Sequence, residues 1–250
     1  MAKNRIHLYN AASSRAIDND ATAPIAQGGL GITGYDLMTR AAAYALASFC
    51  ERWPDAPGFS LFCGKGNNAG DGYVMAQMAK QLGLDVQIFA AVDPSLLTGD
   101  AHRAYHECLA NGLLIEDLGA PIRHLIIVDA LLGTGFYPPV REDIASAISR
   151  INAHTGDILS LDLPSGVSAD RGVWGGRSDE HVRASLTVSF ITRKVGLHTG
   201  AGIAARGALL VADLGVPAAI FARYPSISLL SWSSSRLPSA EVKCWWWEGI

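Results

Sequence analysis

The chain of 250 residues lacks a charge excess of either sign: 20 Lys and Arg stand against 23 Asp and Glu, a formal net charge of −3. A balance so close to neutral excludes the broad charged surface that general binding to nucleic acid or to an acidic partner demands. Long apolar runs are missing as well, and none approaches the ~20 residues needed to cross a bilayer. The opening stretch, MAKNRIHLYNAASSRAIDND, has no apolar core of the signal-peptide kind. Cysteine is sparse. Cys50, Cys63, Cys108 and Cys244 lie far apart with no CxxC pair, which argues against zinc and for a reducing compartment. A bacterial-style cytoplasm is the expected location. The seven histidines show no metal-ligand spacing. His102 and His106 are i, i+4, but without a Glu between them or a third ligand they predict a solvated helix face. Repeats and low-complexity segments are absent. So are the Walker pattern GxxxxGK[ST] and the GxSxG nucleophile elbow, which removes the ordinary nucleotide hydrolase and the serine hydrolase from consideration.

What remains is a globular composition, 49% hydrophobic and 17% charged, in a chain long enough to bury a sizeable core. Short apolar runs alternate with helical periodicity. In GYDLMTRAAAYALASFCERW, Leu37, Met38, Ala41, Ala42, Ala45, Leu46 and Phe49 form one stripe, and Pro54 and Pro57 close the helix. Strands are predicted at 59–63, 85–91, 124–130, 157–166, 185–191 and 207–215. Helices are predicted from Gly72 to Gly83, over 98–111 and over 140–151. Continuously apolar strands between amphipathic helices predict a mostly parallel, doubly wound sheet covered on both faces, a three-layer α/β/α sandwich of Rossmann-like design. Ligands of such sheets bind beyond the carboxyl ends of the strands, so the loops there are the informative ones.

Three of these loops stand out. GKGNNAGDG follows the strand ending near Cys63, VDALLGTGFYPP follows 124–128, and LDLPSG follows 157–161. Together they predict a rim carrying Asn67, Asn68, Asp71, Asp129, Asp162 and Ser165. The first loop nearly meets GxGxxG, yet no acid ends the next strand, DVQIFAA, where a nicotinamide dinucleotide fold would place one. It reads either as an anion cradle at a helix N-terminus or as an ordinary strand-to-helix turn. Asp129 and Asp162, ending two strands of one sheet, point to a shared site more than to two turn caps. The GTG at 133–135 offers backbone amides to an anion. Lys194 is either a surface lysine, the commoner case, or a group reaching the same rim.

The segments RAIDNDAT, GITGYDLMTRAA, CGKGNNAGDGYVMA, VDALLGTG, LDLPSGVSADRG, SFITRKVGLHTGAG and LLVADLGVP occur in the order seen in the NAD(P)H-hydrate epimerase family, the YjeF N-terminal domain, which the chain resembles over about residues 10–217. The resemblance implies a Rossmann-like sandwich that dimerises and interconverts the R and S forms of hydrated NADH and NADPH. A separate nucleotide-dependent dehydratase, often fused C-terminally, then repairs the S form. It further implies that Asn67, Asn68, Ala69, Gly70 and Asp71, the run Gly133, Thr134, Gly135, Phe136, Tyr137, Pro138 and Pro139, and Asp162 contact the hydrate. Asn68, Asp129 and Ser165 would hold a potassium ion, and their oxygen chemistry suits a hard cation.

Epimerising the hydrate requires a carboxyl that acts as acid and then base, and Asp162 is the expected one, with Asp71 and Lys194 as secondary candidates. Ala69 and Val195 replace the family's usual Gly and Pro. Residues 1–230 are expected to form the epimerase domain, with 231–250 a linker or truncated tail: RLPSAEVKCWWWEGI starts like the linker to a fused dehydratase and then departs from it. Such a chain would be an isolated epimerase half that needs a partner dehydratase. An NAD(P)-dependent oxidoreductase and a catalytically silent nucleotide-binding protein are the rival classes.

Overall fold

Alternate residues of the apolar run at 58–63 serve two different cores. Phe59, Leu61 and Cys63 pack on one side and Phe62 on the other, all of them fully buried. This two-faced burial explains why the strand reads as uniformly apolar. It sets the pattern of the computed structural model, which describes residues 5–173 and 180–230.

In chain order the elements are β1 (Arg5–Leu8), α1 (Ala11–Thr22), α2 (Gly34–Arg52), β2 (Gly58–Cys63), α3 (Asn67–Gln81), β3 (Asp85–Ala90), α4 (Gly99–Ala110), β4 (Ile115–Glu116), β5 (Ile126–Ala130) and α5 (Glu142–Asn152). There follow β6 (Asp157–Leu161), β7 (Val167–Ser168), β8 (Gly172–Val173), β9 (Leu186–Phe190), α6 (Gly202–Ala205), β10 (Ala208–Ala212), α7 (Ala218–Phe221) and β11 (Ile227–Leu230). Seven strands form one sheet in the order β10-β9-β6-β5-β2-β3-β4, and every pair in it is parallel. The predicted α/β/α sandwich is the observed one. Helices α2, α3 and α4 cover one face and α5 the other, where Ile144, Ala147, Ile148 and Ile151 meet Phe62, Phe89 and Ile127.

The order places a switch point between β2 and β5. From β2 the chain builds outward through β3 and β4. It then returns to β5 on the other side of β2 and continues through β6, β9 and β10. The loops leaving β2 and β5 therefore diverge and open a crevice at their carboxyl ends.

Three departures from the sequence expectations bear on the site. The strand predicted over 157–166 ends at Leu161, because Asp162 turns to a left-handed φ of 65° and the Leu163 amide folds back onto the Leu161 carbonyl at 2.8 Å. Helix α1 was not expected, and its Ser14, Arg15, Asp18, Asn19 and Thr22 line the crevice while Ile17 and Ala21 are fully buried. β1 pairs antiparallel with β11, with Leu8 beside Ile227, in a small sheet of its own. The predicted tail at 231–250 lies outside the described residues. No helix among those described is long and apolar enough to cross a membrane.

Candidate active site

The crevice at the switch point is a cleft of about 930 Å³. Its walls come from α1, the N-terminus of α3 and the loops after β5, β6 and β9. Of the predicted substrate contacts, Asn67, Asn68, Asp71, Gly133, Thr134, Gly135, Phe136 and Asp162 line it. Ala69, Gly70, Tyr137, Pro138 and Pro139 do not. Ala69 is in the core, and Tyr137 is 76% exposed. Gly70 is a packing residue: a Cβ there would lie 2.5 Å from the Met38 methyl and 3.0 Å from the Ala101 Cα, so glycine lets α3 close against α2 and α4.

Asp162 sits at the floor with both carboxylate oxygens engaged. Oδ1 accepts a hydrogen bond from Lys194 Nζ at 2.5 Å, and Oδ2 accepts from the Thr134 backbone N–H and hydroxyl, each at 2.7 Å. Gly133 makes the second contact practicable, since a Cβ there would stand 3.0 Å from Asp162 Oδ2. Burial by itself pushes the Asp162 carboxyl up. The charge of Lys194 and the hydrogen bonds from Lys194 and Thr134 outweigh it and hold the group below the usual carboxylate range.

Of the two positions the sequence left open for Lys194, the structure takes the one at the cleft. A surface position was the commoner case, yet its side chain is 2% exposed. Nζ also donates to the Phe190 carbonyl at 2.6 Å and to Ser189 Oγ at 3.1 Å. The segment is pinned from the N-terminus: Tyr9 N–H donates to the Arg193 carbonyl at 2.8 Å, and Val195 N–H to the Tyr9 carbonyl at 2.9 Å. Two distant pieces of chain thus fix one lysine beneath the cleft.

Asp129 and Ser165 were expected on the rim, and both lie below it, fully buried. Asp129 Oδ1 accepts from Ser165 Oγ at 2.6 Å and the Leu131 N–H at 3.2 Å. Oδ2 accepts from Ser160 Oγ at 2.8 Å and the Ser165 N–H at 2.9 Å. Burial pushes this carboxyl up, against the pull of those four donors. Ser165 Oγ in turn accepts from the Leu132 N–H at 2.9 Å. Asn68 joins the group from above, its Nδ2 donating to the Leu132 carbonyl at 2.9 Å. Its Oδ1 is buried and has no hydrogen-bond partner. No group of three His, Cys, Asp or Glu among the described residues is arranged to hold a metal.

Two further carboxyls face the cleft. Asp71 stands one turn beyond Asn67 and Asn68 on the same face of α3. Burial, then the charges of Asp162 and Asp18, push it well above the usual range. Asp18 on α1 is raised by burial and by Asp162, with Lys194 pulling the other way. The periodic polar stripe Ser14, Asp18, Thr22 was the signal that could have disclosed this wall, since a helix with Ile17 and Ala21 inside must present it elsewhere. At the mouth, Arg15 Nη1 approaches the Thr134 carbonyl at 3.4 Å, while Arg141 is paired with Asp143 at 3.1 Å.

The family model described as YjeF-related protein N-terminus matches residues 34–196. A bifunctional NAD(P)H-hydrate repair enzyme of Coxiella burnetii is 39% identical over 205 residues, covering 81% of this chain and 41% of the relative. An NAD(P)H-hydrate epimerase of Legionella pneumophila is 32% identical over 204 residues, covering 77% of this chain and 73% of the relative. The crystal structure of yeast ynu0 superposes with a TM-score of 0.67 at 21% identity, over 85% of this chain and 91% of that one, a likeness of fold. The chain thus spans about two fifths of the length of the bifunctional relatives and most of the length of the single-function one.

Proposed function

The chain belongs to the family of the YjeF-related protein N-terminus, and from that premise we propose that it is an isomerase interconverting the R and S forms of hydrated NADH and NADPH. The observation that carries this reading is the buried Asp162–Lys194 pair at the switch point. Asp162, gripped by Lys194 and Thr134, presents a carboxylate in a cleft large enough for a dinucleotide headpiece. The reacting carbon bears a hydroxyl beside a ring nitrogen. Losing that hydroxyl as water and regaining water on the other face inverts the centre. Asp162, expected from the sequence to be acid and then base, is ionised by its partners and suits the base half, taking a proton from the incoming water.

The α3 N-terminus supports binding of the pyrophosphate. Its cap, Gly66, has no side chain to cover the first N–H groups, and those of Asn67 and Asn68, residues that line the cleft, would offer the positive end of the helix dipole to the ligand. Gly133, Thr134, Gly135 and Phe136 would line the ligand from the other side.

The donors near Asn68 fit a potassium ion. The partnerless Asn68 Oδ1, the Leu132 carbonyl, Ser165 Oγ and Asp129 are all hard oxygen atoms. Asn68, Asp129 and Ser165 would hold the ion, which would supply positive charge beside the pyrophosphate. A homodimer in the cytoplasm, with a dehydratase that consumes the S form as functional partner, completes the proposal.

The test is chromatographic separation of the hydrated NADPH epimers with and without the protein, at varied potassium. Acceleration that rises with potassium is expected, and a rate equal to the spontaneous one would discard the epimerase reading. Near-normal turnover by Asp162→Asn would remove Asp162 from the chemistry. NADH oxidation with carbonyl substrates would instead reveal the rival oxidoreductase.

A further inference from the structure

We propose that Asp71 is the acid that protonates the departing hydroxyl, making it a second catalytic carboxyl beside Asp162; this rests on the epimerase reading above. The reaction has two proton transfers, and Asp162 is suited to one. Its two oxygens already accept three hydrogen bonds, one of them from an ammonium. A group so held is a poor proton source.

Asp71 has the opposite surroundings. It lines the cleft from α3, and only burial and neighbouring charge act on it, with no hydrogen bond among the influences. The charges facing it are Asp162 from the loop after β6, Asp18 from α1 and Lys194 from the loop after β9. The single ammonium is fully committed: its three N–H donors go to Asp162, Ser189 and Phe190. Three carboxyls therefore share one cation, and two of them, Asp18 and Asp71, have no donor; Asp71, which faces both of the other acids, is the one that keeps a proton. Arg15, Lys65, Asp100 and Arg141 also line the cleft, and none is among the charges acting on Asp71. The α3 dipole favours ionisation, but Asp71 lies beyond the first helical turn, where that influence fades.

The step balances without an oxidant or reductant. The Asp71 carboxylic acid gives its proton to the hydroxyl oxygen, the C–O bond breaks, and water leaves with the bonding pair. The nitrogen lone pair closes a C=N bond, leaving a ring iminium cation and an Asp71 carboxylate. Water then forms a new C–O bond on the other face, the C=N pair returns to nitrogen, and the released proton passes to Asp162. The reverse reaction starts from Asp162 protonated, and exchange with solvent in the open cleft resets the pair. Meanwhile Asp18, Asp71 and Asp162 surround the cation with negative charge, stabilisation of the kind that preorganised sites supply.

The experiment compares the wild type, Asp71→Asn and Asp71→Glu in R-to-S conversion of hydrated NADPH from pH 5 to 9, with hydrate affinity measured separately by calorimetry. Asp71→Asn should lower kcat by roughly 10²–10⁴-fold, the usual contribution of a general acid. Its affinity for the hydrate should stay within about threefold, because the loss falls on the transition state. Asp71→Glu should recover part of the rate. The wild-type rate should fall toward alkaline pH as Asp71 loses its proton, and that limb should vanish in Asp71→Asn. Turnover of Asp71→Asn within about threefold of wild type would overturn the assignment. So would a wild-type rate that stays flat into the alkaline range, a result that needs no variant to fold. A wild type that accelerates nothing would instead defeat the underlying epimerase reading.

Discussion

One carboxyl below the cleft and three facing it are built on opposite principles in this protein. In the lower group, around Asp129, the one carboxyl is fully buried and satisfied, accepting four hydrogen bonds from Ser160, Ser165 and Leu131. The upper, around Asp162, is short of cations, with three carboxyls facing the single Lys194. Both are buried enough that an unpaired charge is costly. The lower group meets that cost with neutral donors and holds loops together. The upper meets it only at Asp162 and leaves Asp71 and Asp18 under strain. Electrostatic dissatisfaction, more than the presence of acids, marks where chemistry is to be expected.

The sharpest way to break the contrast is to remove the shared cation. Lys194→Met should destabilise the fold by about 3–5 kcal/mol, as expected when one partner of a buried pair is lost, and should abolish epimerisation. Denaturant unfolding together with the epimer assay measures both, and an unchanged midpoint would show that Asp162 is not held by charge. In the lower group, Ser165→Ala removes the donor to Asp129 and the acceptor of the Leu132 N–H. It should cost about 1–3 kcal/mol, the penalty for buried polar groups left unsatisfied. It should also weaken any potassium dependence of the rate.

A subtler outcome concerns Asp71. Its carboxyl is raised above the unfolded value, so its contribution to stability is full below that value and is lost as pH rises through the folded one. Asp71→Asn should therefore melt above the wild type at pH 8 and match it near pH 3, while losing activity, a trade of function against stability. Melting curves at the two pH values decide it, and a lower melting temperature at pH 8 would contradict the strain.

The smallest effect belongs to a control carboxyl remote from the cleft. Asp157 accepts from Ser185 Oγ at 2.6 Å and Trp53 Nε1 at 2.7 Å, and those bonds hold it below its ordinary value. Its stabilisation is present above that ordinary value and is lost as pH falls through the folded one. Asp157→Asn should flatten the acid limb of stability slightly, by about 1 kcal/mol or less for so accessible a group. Trp53 fluorescence would follow it.

Much of this architecture was legible in advance, for a physical reason. Strands buried on both faces are mostly apolar along their length, so the runs at 59–63 and 124–130 announce themselves, and the glycine turns that follow mark the crevice. The rest was not local. Lys194 carries nothing in its neighbourhood that says buried, and only the pairing of Tyr9 with the segment after β9 puts it there. Asp129 and Asp162 look alike on paper, each ending an apolar run. One goes beneath the floor and the other onto it because the backbone at Asp162 turns to a left-handed φ of 65° and leaves the strand at once. Helix α1 was missed because it gives its polar face to a cleft formed by other parts of the chain.

The amino-acid sequence by itself determined the mostly parallel sheet and the loops at its strand ends, because these follow from hydrophobic period and turn chemistry, which are short-range; the strand order that puts the switch point between β2 and β5 did not follow from it. The tertiary structure alone decided which acids share a lysine, which are satisfied and which are left strained. Charge interactions depend on distances between residues far apart in the chain, such as Asp71, Asp162 and Lys194, and no local pattern encodes those distances.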